Sequence, residues 1–582
     1  MNVFKKITAI CLLFALVSCK KDFLDRYPLS QLAPENSFTS ESELRSYTNA
    51  FYNQLPAALD VFYSSPNYGD DDARTTVPNE FRGTRTVPTT GGGWSWTELR
   101  RINFFLENSN KFQNEAVRVK YDALARFFRA YFYVEMVQRF GDVPWYDKVL
   151  DMDDTDLMKP RDTREFVMSK VLEDLDFAIA NLDQGRKLQD VTKWTALALK
   201  SRAMLFEGTF RKYHGLTGWE AMLNESVAAS SELMTKSGYG IYTSNPDKAY
   251  QDLFNFDDAN PTEMILARQY SAAVPFVHSV NFYTLSVSYG RPGVTRHVVN
   301  SYLNADGTRF TDNPSHKTMQ WFEETQNRDP RLGQTIRIPG HKRIGETNAT
   351  LPDFASSITG YQYVKYVQAP SFDQGNCVND IPIFRYAEVL LNFAEAKAEL
   401  GTLSQADIDS SIKLLRDRVS MPNLSFSAAN AVPDPYLAAI YVNVKGANKG
   451  VILEIRRERQ VELIREGFRY YDLIRWKEGQ LFTRVFNGMY FPGVGTYDID
   501  RNGTIDLHIY EGARPASVAG RQYLKIGEVV FENGTKGGQI VTNPTVTKEW
   551  NESRDYLYPI PVQERILNKS LTQNPGWVDG VK

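Results

Sequence analysis

The sequence has few cysteines and lacks the common signatures of phosphate-binding and serine-hydrolase enzymes. Only three of its 582 residues are cysteines, at positions 11, 19 and 377. Because the first two fall in an N-terminal targeting segment, Cys377 has no internal disulfide partner and the body must fold by its core alone. The chain contains no Gly-Lys dipeptide and no G-x-S-x-G sequence, which excludes a Walker-type phosphate loop and a nucleophile elbow.

Histidine pairs, basic tracts and long apolar runs are also missing. The six histidines do not show the H-E-x-x-H spacing of a zinc site. Lysine and arginine total 67 against 70 acidic residues, without a tract of several consecutive basic residues, so nucleic acid is not an expected partner. Beyond the N-terminal segment no apolar run reaches the roughly 20 residues that a membrane-spanning helix needs.

The N-terminus has the pattern of an export signal. Lys5 and Lys6 precede an apolar stretch at 7–17 that is too short to span a bilayer, so residues 1–18 are predicted to be a signal peptide. Residues 16–19, Leu-Val-Ser-Cys, resemble the bacterial lipobox, in which Cys19 becomes the lipidated first residue. We predict lipidation at Cys19, with residues 19–35 as anchor and tether; the alternative is an unmodified secreted protein.

One stretch near the C-terminus organises the rest of the chain: residues 451–477, VILEIRRERQVELIREGFRYYDLIRWK. Its strong helix formers predict a helix capped by Gly467 and a second short helix at 468–477. Glutamates recur at positions 454, 458, 462 and 466 and so form one stripe along the helix. Like charges at this spacing repel each other, so the stripe predicts a network of arginine partners wedged between packed helices.

Two of these partners are predicted to be local. Arg457 follows Glu454 and Arg465 follows Glu462 at the spacing of a helical turn. Glu458 and Glu462 would also suit an acid/base pair, but carboxylates are perturbed in the same way in plain ion-pair networks. We therefore predict a structural role for the stripe.

The remaining chain alternates between helical and irregular parts. Apolar spacing predicts helices at 115–140, 162–182, 192–214 and 219–236, and their short connections favour antiparallel αα pairs. Elsewhere glycine, proline and asparagine interrupt short apolar segments. We predict a helical scaffold at about 36–237 and 380–480, with irregular insertions of short strands and loops at 238–379 and 481–553.

Several motifs resemble the SusD/RagB family of outer-membrane, nutrient-binding lipoproteins of Bacteroidetes-type bacteria. They are RRERQVELIREGFRYYDLIRWK in the organising stretch, FFRAYFYVEMVQRFGDVPWY at 127–146, NRDPR at 327–331, and YLYPIP and LTQNPGW near the C-terminus. The resemblance runs from the lipobox to Trp577. It implies a mainly α fold in one SusD-like domain at 36–582, in which tetratricopeptide-like αα helix pairs carry a loop-rich, partly β ligand-binding face.

The resemblance also implies a function. The protein would bind a glycan or oligosaccharide at the cell surface, anchored by lipid in the outer membrane, and deliver it to a TonB-dependent, SusC-like transporter without covalent chemistry or a cofactor. Two alternatives stay open from the residues alone: a surface glycan hydrolase that uses a carboxylate pair, and a purely structural docking subunit of the transporter. Starch, host glycans, hemicellulose and peptides are all candidate ligands.

Candidate ligand-binding residues follow from the chemistry of sugars, whose apolar ring faces stack on aromatic groups and whose hydroxyl groups bond to acidic, amide and guanidinium groups. Aromatic residues make up 13% of the chain, and tyrosine (31) is nearly as common as phenylalanine (34). Trp94 is predicted to be exposed because flexible glycines precede it, whereas Trp96 has a competing prediction, burial beside Ile102 and Phe105. The candidates are Tyr68, Asp70, Asp71, Asp72, Arg74, Trp94, Trp96, Tyr283, Tyr289, Arg291 and Trp321.

Residues 498–509 contain part of a calcium-binding loop. Ile509 stands where the loop requires a glutamate at position twelve. A turn between two strands explains the same residues, and we favour it, with a structural calcium ion as the alternative. The ligand positions one, three, five and nine are occupied by Asp498, Asp500, Asn502 and Asp506, with Gly503 at position six.

Overall fold

The computed structural model describes residues 37–64 and 69–581. The predicted signal peptide, the anchor at Cys19 with its tether, and the candidate residue Tyr68 lie outside these ranges. Within them, no helix is both long and apolar enough to cross a membrane.

The architecture is mainly helical, as predicted. The longest helices lie in the two parts of the chain predicted as scaffold, and the helices between and after them are short. In chain order the described residues form α1 (Glu41–Asn49), α2 (Ala58–Phe62), α3 (Asn79–Arg82), α4 (Thr97–Asn108), α5 (Glu115–Phe140), α6 (Arg164–Asn181), α7 (Lys193–His214), α8 (Trp219–Lys236), α9 (Ala249–Asn255), α10 (Val280–Leu285), α11 (Arg296–Ser301), α12 (Trp321–Glu324), α13 (Arg331–Thr335), α14 (Tyr386–Leu400), α15 (Gln405–Asp409), α16 (Ile412–Asp417), α17 (Phe426–Ala431), α18 (Pro435–Ile440), α19 (Lys449–Glu462), α20 (Arg469–Arg475) and α21 (Val562–Leu567).

The strands are short and form small sheets that join segments distant in sequence. They are β1 (Asp72–Ala73), β2 (Met264–Arg268), β3 (Gly293–Val294), β4 (Ile381–Arg385), β5 (Asn487–Phe491), β6 (Gly495–Tyr497), β7 (Leu507–Tyr510), β8 (Gln522–Lys525) and β9 (Gly538–Val541). Antiparallel pairs link β1 with β3, β2 with β4, β5 with β9 and β6 with β7, and β7 also pairs in parallel with β8. The main core therefore lies between helices.

The long helices pack in pairs along the chain. α5 packs against α6, and α7 packs against α8 across a turn opened by Gly215, whose φ of +75° suits a residue without a side chain. α14 returns to pack against both α8 and α19. Phe127, Leu175 and Leu390 are among the fully buried side chains between these helices. This scaffold supports the irregular segments.

The organising stretch forms two helices, but the first ends earlier than the glycine signal predicts. α19 ends at Glu462, ahead of Gly467. Tyr250 and Arg385 both donate hydrogen bonds to the carbonyl oxygen of Glu462, at 2.7 and 2.8 Å. A longer helix would need that carbonyl for its own next turn, so the tertiary partners end the helix there.

Glu462 is the centre of a buried charge network, which confirms the predicted arginine partners of the stripe. It accepts hydrogen bonds or ion pairs from Arg331, Arg385 and Arg418 at 3.1, 2.8 and 2.6 Å. Burial opposes ionisation, yet the three guanidinium groups hold the pKa of Glu462 well below its usual range. Because Arg331 lies on α13 and Arg385 ends β4, one carboxylate joins the helical scaffold to the irregular segments.

The local pairing of the stripe is only half as predicted. Glu454 pairs with Arg457 at 3.0 Å. Arg465 does not pair with Glu462, because α19 has already ended and Arg465 points its guanidinium toward Thr284 on α10 instead. Glu458 is buried and paired with arginines, as a structural role requires.

Candidate ligand-binding face

Four aromatic side chains form a cluster on the irregular side of the molecule, which we call the aromatic platform: Tyr63, Phe282, Tyr283 and Tyr289. The ring centroid of Tyr289 lies 5.0 Å from Tyr63, 4.8 Å from Tyr283 and 5.1 Å from Phe282. Tyr63 and Phe282 are 41% and 40% exposed. Clustered rings that keep solvent contact provide flat apolar surface edged with hydroxyl groups, which suits a sugar.

Three short segments bring these rings together. Tyr63 follows α2, Phe282 and Tyr283 lie on α10, and Tyr289 ends a helical turn after it. The Ser286 hydroxyl accepts a hydrogen bond from the backbone N–H of Ser288 and so caps that turn. Gly290 then closes it with a φ of +80°, a conformation that favours glycine. Partial burial raises the pKa of Tyr283, and its hydroxyl can donate a hydrogen bond.

Arg74 supports the platform from below. Its guanidinium pairs with Asp72 at 2.7 Å and donates to the carbonyl oxygens of Phe62 and Tyr63 at 2.7 and 3.3 Å. It also lies 5.9 Å from the centre of the Tyr63 ring. Because β1 pairs with β3, Arg74 is held beside the turn that carries Tyr289. The structure thus brings Arg74, Tyr283 and Tyr289 together, although they lie far apart in sequence.

The three neighbouring acids are buried, contrary to the prediction that they reach a ligand. Asp70 accepts a hydrogen bond from Arg469 at 2.6 Å, and Asp72 forms an ion pair with Arg74. Burial raises the pKa of Asp71 to about 7, and its carboxylate accepts the backbone N–H of Gly69. The pairing of β1 with β3 draws this segment inside, so the acids anchor the loop.

Trp321 and Arg291 also take supporting positions. Trp321 on α12 is 2% exposed, and its indole N–H donates to the carbonyl of Arg337 at 3.2 Å, which corrects its prediction as a ligand contact. Arg291 follows Gly290 and donates to the carbonyl of Phe354 at 2.5 Å. Partial burial lowers the pKa of Arg291, and the side chain braces the turn that carries Tyr289.

The two candidate tryptophans lie elsewhere, in a cleft between α4 and the C-terminal helix α21, which we call the tryptophan cleft. Trp94, Trp96 and Tyr146 line it with aliphatic side chains such as Met158 and Leu567, around a cavity of about 550 Å³. The Trp96 ring lies 5.3 Å from Trp94 and 5.4 Å from Tyr146. Tyr283 and Tyr289 therefore lie on the platform, whereas Trp94 and Trp96 lie in the tryptophan cleft.

The exposure predicted for Trp94 is wrong. Trp94 is 6% exposed because its ring packs edge-on against Phe140 at 5.0 Å. Trp96 keeps more solvent contact and packs against Phe132, 5.7 Å away. The glycines before Trp94 turn the chain, but they do not lift the side chain off α5.

The sequence did not single out Tyr63 and Phe282 as candidates. Tyr63 lies within the stretch at 56–93 that its prolines and glycines predict to be irregular, and Phe282 directly precedes the candidate Tyr283. A usable signal is the density of aromatic residues at 282–289 together with Ser286 and Gly290, which mark a tight turn. No local signal indicated that Tyr63 would join them.

The acidic loop at 498–506 connects β6 to β7, which confirms the predicted turn between two strands. Carboxylate oxygens of Asp498, Asp500 and Asp506 lie within 4.8 Å of one another. Asn502 donates its backbone N–H to Asp498 at 3.0 Å, so hydrogen bonds already order the loop. Burial and then the two other carboxylates raise the pKa of Asp506. Ile509 is buried in β7 and offers no twelfth-position ligand, so the calcium alternative stays a prediction.

Two family models match the chain. The model of the SusD family matches residues 274–577. A second model, described as starch-binding associating with outer membrane, matches residues 84–283. Both the platform and the charge network fall within the first match, except for the segment around Tyr63.

Similar proteins and structures agree with these matches. SusD-like protein P38 of Formosa agariphila is 23% identical over 522 residues, which cover 84% of this chain and 95% of that protein. SusD-like protein P2 of the same organism is 25% identical over 532 residues, covering 86% and 96%. A crystal structure of a SusD-like carbohydrate binding protein from Bacteroides fragilis has a TM-score of 0.68 and 20% identity, covering 92% of this chain and 99% of that one. A second SusD-like structure from the same species has a TM-score of 0.67 and 21% identity, covering 95% and 100%.

Proposed function

This chain belongs to the SusD family, and from that premise we propose that it binds a glycan on its aromatic platform and delivers it to a TonB-dependent, SusC-like transporter. The observation that carries the proposal is the cluster of four solvent-contacting rings around Tyr289, with Arg74 supporting the segment of Tyr63. Stacking on the rings supplies affinity, and the tyrosine hydroxyl groups supply directed hydrogen bonds. We place the protein at the outer membrane, anchored through Cys19 and facing the cell exterior.

Support for glycans comes from both the matches and the site. A matched model is described as starch-binding, and a similar structure is that of a SusD-like carbohydrate binding protein. The platform has tyrosines rather than only aliphatic side chains, so a ligand with both apolar faces and hydroxyl groups fits it better than a purely apolar one. Starch, host glycan and hemicellulose remain the candidates within this class.

Binding without cleavage fits the carboxylates beside the platform. A glycosidase needs two carboxyl groups facing the scissile bond across the sugar. Asp72, the acid next to Arg74, is 5% exposed and paired with that arginine. Asp71 is also 5% exposed. These acids stabilise the loop and support a binding role.

The test is affinity electrophoresis of residues 20–582 through a panel of soluble polysaccharides, with calorimetry on any glycan that retards the protein. We expect Tyr289→Ala to raise the dissociation constant about tenfold or more, because Tyr289 contacts every other ring of the platform. Tyr523→Ala is the matched control, since Tyr523 on β8 is also half-buried but its ring contacts are His508, Tyr510 and Arg514 rather than a platform ring. It should leave affinity unchanged.

Further variants and products separate the competing functions. Trp96→Ala tests the tryptophan cleft. If this variant loses glycan affinity while Tyr289→Ala keeps it, the binding site is the cleft and not the platform. Release of reducing ends from the polysaccharide would identify a hydrolase instead. Co-purification of the transporter without retention by a glycan would support the docking subunit. Cys19→Ala should release the protein from the outer-membrane fraction if the anchor is as proposed.

A further inference from the structure

Arg465 has an unusual conformation for an arginine. Its backbone φ is +63°, a left-handed value that crowds the Cβ of any residue except glycine and so costs free energy. The side chain is half-buried, and its Nε lacks a hydrogen-bond partner within residues 37–64 and 69–581. Burial lowers the pKa of Arg465 to about 10. A strained and poorly solvated cation persists only where its surroundings hold it.

Its chain neighbours explain why the backbone stays strained. Lys365 donates to the carbonyl of Ile464 at 2.8 Å. Glu466 pairs with Lys365 at 2.7 Å and with Arg385 at 2.6 Å. Residues 464 and 466 are thus both fixed by the buried charge network, and the left-handed turn between them directs the Arg465 side chain out of the network.

The side chain ends beneath the aromatic platform. Its Nη2 donates to the hydroxyl of Thr284 on α10, and its Nη1 donates to the carbonyl of Lys365 at 3.4 Å. The guanidinium lies 4.3 Å from the ring centre of Tyr363 and 5.4 Å from that of Phe62. Both Phe62 and Tyr363 are buried, so the cation is enclosed on two sides.

Arg465 contacts two different segments that carry platform rings. Thr284 adjoins Tyr283 on α10, and Phe62 adjoins Tyr63 at the end of α2. We propose that Arg465 is a positioning residue that fixes these two segments against each other, so that the platform rings form one preorganised surface. This deepens, and rests on, the proposed binding function, since a surface held in its bound arrangement loses less entropy when a ligand binds.

The first test needs no ligand. Arg465→Met keeps an unbranched apolar stem and the strained backbone but removes the guanidinium with its charge and its hydrogen bonds. Hydrogen–deuterium exchange should rise at least fivefold in residues 58–63 and 280–289, with α5 and α7 unchanged. The matched control is Arg501→Met, because Arg501 is also left-handed, at +61°, but lies on the exposed loop after β6. Unchanged protection of both platform segments in Arg465→Met would overturn the proposal.

The second test measures how Arg465 acts on binding. With the glycan that the wild type retains, Arg465→Met should weaken affinity at least fivefold. Thr284→Val removes the acceptor with little change of shape, and the two substitutions combined should weaken affinity no more than Arg465→Met alone, because they break the same contact. If the fold losses of affinity in the two single variants multiply in the double variant, Arg465 does not act through Thr284. If the wild type binds no glycan, the proposed function fails while the exchange experiment still decides the role of Arg465.

Discussion

The charge network around Glu462 and the aromatic platform use their side chains in opposite ways. In the network, groups that prefer water are buried and matched with partners. In the platform, rings that prefer the core keep contact with water. Buried charges persist only with good pairing, and exposed rings forgo the free energy of burial. The scaffold is therefore specified by buried ion pairs, whereas the face leaves apolar surface exposed to solvent, as a binding site does.

The strongest way to break this comparison is to remove the central acid. Glu462→Gln keeps the shape of the side chain but leaves Arg331, Arg385 and Arg418 without their shared carboxylate. We expect the free energy of unfolding to fall by about 3–5 kcal/mol, the usual cost of breaking a buried ion pair. Urea denaturation at pH 7 measures it.

A surface pair provides the control for that substitution. Glu98 pairs with Arg101 at 2.7 Å, and both side chains are about a third exposed (33% and 36%). Glu98→Gln should therefore cost at most about 1 kcal/mol. Equal losses of unfolding free energy in Glu462→Gln and Glu98→Gln would mean that the buried network stabilises the protein no more than a solvent-exposed ion pair does.

Acid provides a second, smaller test of the scaffold. Burial opposes ionisation of Glu395, but Arg475 and the indole N–H of Trp476 outweigh it and lower its pKa from 4.5 to about 2. A depressed carboxyl pKa contributes stability that is present above about pH 4.5 and is lost as pH falls toward 2. We expect Glu395→Gln to have a lower free energy of unfolding than the wild type at pH 5, and the difference between the two proteins to become smaller by pH 2.5. Urea denaturation at each pH measures it. Glu173→Gln, on the exposed face of α6, should show no such narrowing.

The scaffold could be predicted from the sequence because its signals are local. Helical spacing and glycine caps mark α5, α7 and α8, and the four-residue repeat of glutamates indicates a stripe that needs cations. The partners of Glu462 could not be predicted, because Arg331 and Arg385 lie more than 70 residues away (131 and 77 positions). The end of α19 could not be predicted for the same reason: the hydroxyl of Tyr250, distant in sequence, donates to the carbonyl of Glu462 that a longer helix would need.

The face was predictable by residue type but not by arrangement. Aromatic and arginine residues were expected there, and Arg74, Tyr283 and Tyr289 do meet. The burial of Asp70–Asp72 depends on a strand of two residues, β1, which has no periodicity to detect. The segment at 280–285 was expected to be a short strand or loop, yet it forms α10, because packing decides the conformation of short apolar segments.

A platform substitution sharpens the comparison from the other side. Tyr283→Ala should lower glycan affinity while changing the free energy of unfolding by less than about 1 kcal/mol, since the ring is only half-buried. Thermal and urea denaturation measure the stability, and calorimetry measures the affinity. A core aromatic truncation costs about 3–5 kcal/mol, so a loss of that size would mean that the platform is part of the core.

The smallest expected effect concerns calcium at the loop between β6 and β7. The loop brings three carboxylates together within 4.8 Å, but Ile509 occupies the position where a full loop supplies two more oxygens. The turn that we favour predicts no effect of calcium. The calcium alternative predicts weak binding, with a dissociation constant of about 10⁻⁴–10⁻³ M, so that 5 mM calcium chloride would raise the Tm by about 1 °C. Asp500→Asn should abolish the shift, and magnesium, which demands tighter octahedral geometry, should not reproduce it. The same Tm with and without calcium would show that these acids serve the turn alone, through the backbone N–H groups of Asn502 and Gly503.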